Sequence, residues 1–324
     1  MEMAVHILLF VVGFVFLIKG GDWFVDAAQS IAHRFGMPEL LIGATVVAIG
    51  TTLPEVMVSA QGAMAGNGSI AFGNAIGSII CNTALIAAIT LVVKPAKVDR
   101  KTILLPAAFF FLAAGYYVFN AYAFQGFSRL SGIVLLCIFV IYMVATVSQM
   151  KRLPQQAEDA ASDTQEPDAP QGSALRDVIM LIVGAAVIAA GAKLLVDNAT
   201  VIATALGVPE SVIALTLVAL GTSLPELVTA VTALMKGHGA LSLGNIIGAN
   251  LFNLVLVSGT AVTINPFTLE SAASTAMTVD IPMALGAMLL LTLPALLKEK
   301  LYRWQGAVLL CGYAAYCVFL FVGA

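Results

Sequence analysis

The sequence predicts an all-α polytopic membrane protein: ten transmembrane helices arranged as two inverted five-helix repeats. Three observations carry that prediction. The composition is too apolar for a soluble core, the apolar residues fall in runs of bilayer length, and one motif occurs twice. Of 324 residues, 60% are hydrophobic and only 10% charged, with a mean hydropathy of +1.00. A soluble domain is roughly 45–50% apolar and about 25% charged, so side chains this apolar belong in a bilayer. The strict alternation of a transmembrane β-barrel is absent.

A spanning helix needs about 20 mostly apolar residues. Such runs lie at 3–22, 38–65, 70–93, 102–120, 129–149, 175–198, 209–236, 240–264, 275–297 and 303–322. The first opens MEMAVHILLF with no Lys or Arg ahead of it, a poor secretory signal, and reads as a retained helix. Alternate loops of a ten-helix chain share a side. Those after the odd-numbered helices carry 13 of the 15 basic residues, from Lys19 and Arg34 to Lys298, Lys300 and Arg303; Arg129 and Lys193 fall opposite. Basic loops stay cytoplasmic, so the expectation is a multi-pass protein of the plasma (inner) membrane with both termini outside.

Residues 151–174, KRLPQQAEDAASDTQEPDAPQGSA, hold five acidic residues and almost nothing bulky and apolar. They read as a flexible cytoplasmic linker between a first half, 1–150, and a second, 175–324; their spacing matches no calcium loop. Cys81, Cys137, Cys311 and Cys317 lie in apolar segments without paired spacing and read as packing residues.

A shift of 171 residues aligns Gly36–Pro95 with Gly207–Pro266 without a gap, and 22 of the 60 pairs are identical. They include Gly50/Gly221, Pro54/Pro225, Glu55/Glu226, Gly73/Gly244, Asn74/Asn245 and Asn82/Asn253; Asp26/Asp197 falls on the same shift. Each repeat opens a half of five helices. Five is odd, so the second half enters the membrane the other way up. Inverted repeats with discontinuous helices at the midplane are a pattern of secondary transporters.

Within each repeat stands a string that a plain spanning helix would avoid: GTTLPE at 50–55 and GTSLPE at 221–226. Pro54 and Pro225 lack an N–H and clash with the preceding turn, so the helix is expected to bend or unwind near Gly50 and Gly221. That would free the carbonyls of Ala48, Thr51, Ala219 and Thr222, which hydrocarbon tolerates only where something else satisfies them. Thr51, Thr52, Thr222 and Ser223 add hydroxyls. GNAIGSIICN (73–82) and GNIIGANLFN (244–253) add Ser78 with Asn82, four apart on one helix face, and Asn253. Gly73 and Gly77 allow close helix approach. The result is an oxygen-only cage with two negative charges, suited to Ca²⁺, Na⁺ or Mg²⁺ rather than zinc or copper. A transmembrane carboxylate costs on the order of 2.5–3.5 kcal/mol, and two at equivalent positions are hard to read as packing.

Other polar residues read more plainly. Glu39 and Glu210 each follow a proline at a helix start and read as capping. Asp26 and Asp197 read as interfacial, Asn74 and Asn245 as structural, and His6, His33 and His238 as solvated near membrane edges.

At these motifs the chain resembles the sodium/calcium exchanger family of the cation/calcium exchanger superfamily, whose two α-repeats GTTLPE…GN-x-x-G…N and GTSLPE…GN-x-x-G…N are similar to. The resemblance covers both halves. It implies ions bound centrally between helices 2, 3, 7 and 8, with long, tilted helices 1 and 6 sliding across that core. It places a calcium site on Glu55, Glu226 and the carbonyls of Thr51 and Thr222. Sodium sites fall on the carbonyls of Ala48 and Ala219 and the side chains of Thr52, Ser78, Ser223, Glu55 and Glu226. Two positions depart from the family: Ala249 where the first repeat has Ser78 and the family often has serine, and Asn253 where some members carry aspartate.

The expected activity is secondary active antiport of Ca²⁺ for Na⁺ by alternating access, with no cofactor and no enzyme activity. An intramembrane protease would want paired aspartates or a Ser/His pair, and neither is visible. The rival is a Ca²⁺/H⁺ (or other divalent cation/H⁺) antiporter; such relatives place a glutamate shortly after the GN pair, which GNAIG and GNIIG lack. Expected partners are small inorganic cations and the bilayer, with no nucleic acid and no obligatory protein.

Overall fold

The computed structural model describes residues 2–152, 173–207, 221–269 and 276–323. The expected apolar runs become helices: α1 (Glu2–Arg34), α2 (Glu39–Met64), α3 (Ala71–Val93), α4 (Arg100–Phe124), α5 (Arg129–Arg152), α6 (Ala174–Ala205), α7 (Leu224–Met235), α8 (Gly239–Ile264), α9 (Met277–Lys298) and α10 (Arg303–Gly323). Among the described residues, eight are long and apolar enough to cross a membrane. The first part of the run 209–236 and most of the linker lie outside the described residues. Two-residue strands β1 (Gly126–Phe127) and β2 (Phe267–Thr268) pair antiparallel.

Two helices differ from their apolar runs in length. α1 has 33 residues and α6 has 32; at 1.5 Å per residue each is roughly 50 Å long, well beyond the ~30 Å hydrocarbon core. Charge does not end them; glycine does. Gly36 (φ 58°) and Gly207 (φ 80°) take the left-handed conformation that glycine adopts at little cost. The amides of Gly36 and Met37 return to His33 and Ala32, at 3.2 and 2.8 Å. Lys19 and Lys193 therefore lie inside helices rather than in loops, a correction to the loop assignment.

α1 and α6 pack along each other at glycine contacts: a Cβ on Gly13 would meet the Leu195 amide nitrogen at 2.8 Å, and one on Gly191 the Leu17 nitrogen at 2.9 Å. This pair sits outside the bundle, with only 17% of the most apolar stretch of α1 buried; α8 is its centre, at 89%. Of the four cysteines, all free, only Cys81 is buried; Cys137 and Cys311 are exposed and Cys317 is intermediate, so the packing reading is corrected for those three.

Contacts between the halves recur with the halves exchanged. The Val98 amide donates to the Glu299 carbonyl (3.0 Å), and that of Leu269, 171 positions on, donates to Gln125 (2.9 Å). Arg129 donates to the Ile264 carbonyl and Arg303 to that of Val93, both at 3.3 Å. Gln125 (φ 48°) and Glu299 (φ 52°) share one strained cap geometry. Strand pairing of β1 with β2 at one end is answered by a bridge between Lys97 and Lys300 at the other.

Candidate cation site between the repeats

Each repeated string lies at or near a place where a helix departs from plain α geometry. In α2 the departure precedes Pro54: residues Gly43–Val47 form a π-helical turn, a widening often found at functional sites. Its Ala44 carbonyl accepts from the Tyr142 hydroxyl of α5 at 2.8 Å. From Ala48 to Met64 the helix is continuous, with Pro54 inside it, so the expected unwinding at Gly50 does not occur in this copy. The carbonyl that Pro54 leaves without its usual donor is Gly50's, and the Ala48 carbonyl accepts weakly from the Thr51 hydroxyl at 3.4 Å. The second copy does break: Ser223 (φ −88°, ψ 3°) precedes α7, which starts at Leu224 with Pro225 in its first turn, where a missing N–H costs nothing. Ala219 lies outside the described residues, as does Glu210. Further π turns cover Cys81–Ala87 and Asn253–Val257, starting at or next to the two motif asparagines. In the second, the Ser258 hydroxyl caps the Asn253 carbonyl at 2.9 Å.

Glu55, Glu226, Thr52, Asn82, Asn253 and Ala48 are wholly buried, and Ser223, Thr51 and Ser78 nearly so; Thr222 is half-buried. Buried polar atoms almost always have partners. Here both oxygens of Glu55 and Glu226, both amide atoms of Asn82 and Asn253, and the hydroxyls of Thr52 and Ser223 have none. These are three symmetry-related pairs, pooled in the interior. Glu55 lies within Coulombic range of Glu226, and the Thr51 and Thr52 side chains neighbour Glu226 without a well-formed hydrogen bond to it.

Two crossed hydrogen bonds tie the motifs together. The Thr51 hydroxyl donates to Asn245 Oδ1 (3.1 Å) and that of Thr222 to Asn74 Oδ1 (3.4 Å). Asn74 Nδ2 also donates to the Glu55 carbonyl (3.2 Å) and to Ser59 Oγ (2.9 Å). The second half has Ala230 in place of Ser59, and Asn245 Nδ2 is without a partner. The asparagines read as structural thus span the interface of the halves; their invariance between the repeats was the available signal. Sequence reasoning also missed Cys81, which sits beside Ser223 and Tyr313 and in the field of both glutamates.

Close approach brings these elements together. A Cβ on Gly248 would fall 2.6 Å from the Ala44 Cα, and one on Gly244 would overlap the Leu40 carbonyl. Among the described residues nothing lies within 4 Å of a Cβ on Gly73 or Gly77; the positions 171 residues after Leu40 and Ala44 lie outside the described residues. Away from the site, Glu39 pairs with His238 (2.8 Å), Asp26 with Lys236 (2.7 Å) and His6 with Asn198 (2.8 Å), so neither His6 nor His238 is simply solvated. Among the described residues, no group of three or more His, Cys, Asp or Glu could hold a metal ion; the site offers two carboxylates among neutral oxygens.

The model of the family described as sodium/calcium exchanger protein matches residues 5–148 and 177–322, both repeat halves. The chain belongs to the sodium/calcium exchanger protein family. Sodium/calcium exchanger MaX1 of Methanosarcina acetivorans is 33% identical, covering 98% of this chain and 99% of its own. Putative antiporter CaxA of Alkalimonas amylolytica is 35% identical over 98% and 99%. The sodium-calcium exchanger NCX_Mj, in crystals soaked with Na⁺ and Sr²⁺, superposes with a TM-score of 0.78 at 34% identity, covering 97% of this chain and 98% of that one. The family is one of cation exchangers in membranes, not of enzymes.

Proposed function

We propose that this exchanger moves Ca²⁺ against Na⁺ by alternating access, through ten spanning helices in two inverted five-helix halves. The observation that carries the reading is the pooling of unpartnered, buried oxygens in symmetry-related pairs, Glu55/Glu226 and Thr52/Ser223 with Asn82/Asn253. Uncompensated polar atoms are too costly to bury without a counterpart, and a dehydrated cation supplies one. Two carboxylates balance Ca²⁺, with the carbonyls of Thr51 and Thr222 completing a flexible oxygen shell. Na⁺ competes for the same carboxylates through Thr52, Ser78, Ser223 and the carbonyls of Ala48 and Ala219. Emptied while both carboxylates are ionised, the site would hold two buried negative charges that an apolar gate covers only at great cost, and this would couple the two fluxes.

The exchanged contacts support inverted insertion, and the length of α1 and α6 with their peripheral, glycine-lined packing supports their role as the sliding pair. Coupling to Na⁺ rather than H⁺ is supported by the absence of a carboxylate within GNAIG and GNIIG and by the names of MaX1 and NCX_Mj. Uptake of ⁴⁵Ca²⁺ into Na⁺-loaded vesicles tests the reading. Uptake should rise with the outward Na⁺ gradient; uptake that follows a pH gradient and ignores Na⁺ would establish the proton-coupled alternative.

A further inference from the structure

The family activity leaves unexplained a corner of the basic end of the bundle, where α3, α4, α9 and α10 meet. Lys94, Lys97, Arg100, Lys101, Lys298, Lys300 and Arg303 gather there with only Asp99 and Glu299 for acids. Elsewhere on this end several cations are paired: Lys236 with Asp22 and Asp26, Arg34 with Asp177, His238 with Glu39. In this corner, among the described residues, no basic side chain has a carboxylate within salt-bridge distance; Asp99 instead caps α4 through the Lys101 amide.

The backbone makes the crowding deliberate. Lys97 and Lys300 face each other across an antiparallel bridge whose flanking bonds run from Val98 N to Glu299 O and from Leu301 N to Ala96 O. That is the non-hydrogen-bonded type of pair, in which side chains come closest. Like charges directly opposite are destabilising, a cost that an anion between them would relieve; Lys300 also lies over the Tyr302 ring, 5.3 Å from its centroid. Beside the pair, a cavity of about 210 Å³ is lined by Lys94, Lys97, Thr90, Gly239 and Ser242, among others. Ser242 is 2% exposed and its hydroxyl has no partner. Around the corner, Val93, Leu297 and Trp304 are 60%, 66% and 53% exposed, an apolar and aromatic rim of the kind that sits at the headgroup level.

We infer that this corner is a binding site for the phosphate headgroup of an anionic phospholipid, held by Lys94, Lys97, Lys300 and the Ser242 hydroxyl with its acyl chains along Val93, Leu297 and Trp304. Charge complementarity selects an anion, and the apolar rim selects a lipid over a free ion. Juxtamembrane lysines attract anionic lipid by about a factor of five each.

The test uses the purified full-length protein in a nonionic detergent, with short-chain phosphatidylglycerol, short-chain phosphatidylcholine and inorganic phosphate as probes. Binding is read by native mass spectrometry and by the shift in melting temperature. Phosphatidylglycerol should bind and stabilise well above phosphatidylcholine. Lys97→Gln/Lys300→Gln should weaken it about 30-fold, while Lys193→Gln, near the opposite end, leaves it unchanged. Ser242→Ala removes only an unpartnered hydroxyl and should weaken binding about fivefold, which keeps the test decisive if the double variant misfolds. Equal binding of the two lipids overturns the site, as does full phosphatidylglycerol affinity in a folded double variant or in Ser242→Ala. Stabilisation by inorganic phosphate equal to that by phosphatidylglycerol would assign the corner to a free anion and overturn the lipid.

Discussion

Replacing Glu226 by glutamine should move stability in opposite directions with and without the transported ion. Glu55 and Glu226 are wholly buried, neither carboxylate has a hydrogen-bond partner, and they lie in each other's field. An uncompensated buried ion costs several kcal/mol even after relaxation, and Gln keeps the shape of Glu while removing the charge. In an ion-free, alkaline buffer the variant should therefore be the more stable protein, by about 2 kcal/mol, or about 4 °C in melting temperature for a chain of this size. With Ca²⁺ at about 100 times its dissociation constant, the wild type gains about 2.7 kcal/mol and overtakes the variant, which gains little. Scanning fluorimetry in chelator and in Ca²⁺ reads both arms, and ⁴⁵Ca²⁺ exchange in vesicles should be abolished. A Glu226→Gln protein that melts below wild type in chelator and still gains full stability from Ca²⁺ would show that the carboxylate serves folding, and the site assignment would fail.

The crossed asparagines should differ in effect: Asn74→Ala loses bonds to Thr222, Glu55 and Ser59 and should cost about 2–3 kcal/mol in thermal unfolding, while Asn245→Ala loses only Thr51 and should cost about 1; equal losses would contradict the asymmetry. Gly248→Val places a side chain against the Ala44 backbone, where a Cβ would already come within 2.6 Å, and should leave little folded protein in a size-exclusion profile. Ala249→Ser restores the hydroxyl that Ser78 supplies in the first repeat and should lower the Na⁺ needed for half-maximal competition with Ca²⁺ by about fivefold; an unchanged Na⁺ dependence would remove that position from the sodium route.

Most of the helices were legible because apolar runs of bilayer length leave a chain few choices. The runs at 38–65 and 240–264 became helices over 39–64 and 239–264, nearly residue for residue. Hydropathy failed where polar residues lie within a helix. Lys19, Asp22 and Asp26 read as the end of α1, yet the helix runs on to Arg34, because only Gly36 supplies the left-handed turn that stops it. The motif at Glu55 was legible through its duplication, but its local geometry was not. A proline announces a break, and in α2 the packed helix carries Pro54 without one while the widening falls at Gly43–Val47. No residue type marks a π turn; it forms where a side chain such as Tyr142 is placed to take the displaced carbonyl, and that depends on a helix nearly 100 residues away.

The two halves are equivalent in topology and unequal in detail, and the inequality has a direction. Glu55 stands on a continuous helix whose carbonyl is held by Asn74, itself held by Ser59. Glu226 stands in the first turn of a helix that begins just before it, in a half where the Asn245 amide nitrogen has no partner and Ala230 and Ala249 replace Ser59 and Ser78. A helix start has fewer backbone bonds to break than a helix interior. In the exchange proposed above, rearrangement therefore costs least on the Glu226 side, and the Glu55 side is expected to keep its position. The carboxylates proposed to balance a divalent charge are present in both halves, as are the Thr52 and Ser223 hydroxyls, whereas the Ser78 hydroxyl has no counterpart at Ala249. Divergence between the repeats has fallen on the rigidity and the neutral oxygens of the site, and has left its charge untouched.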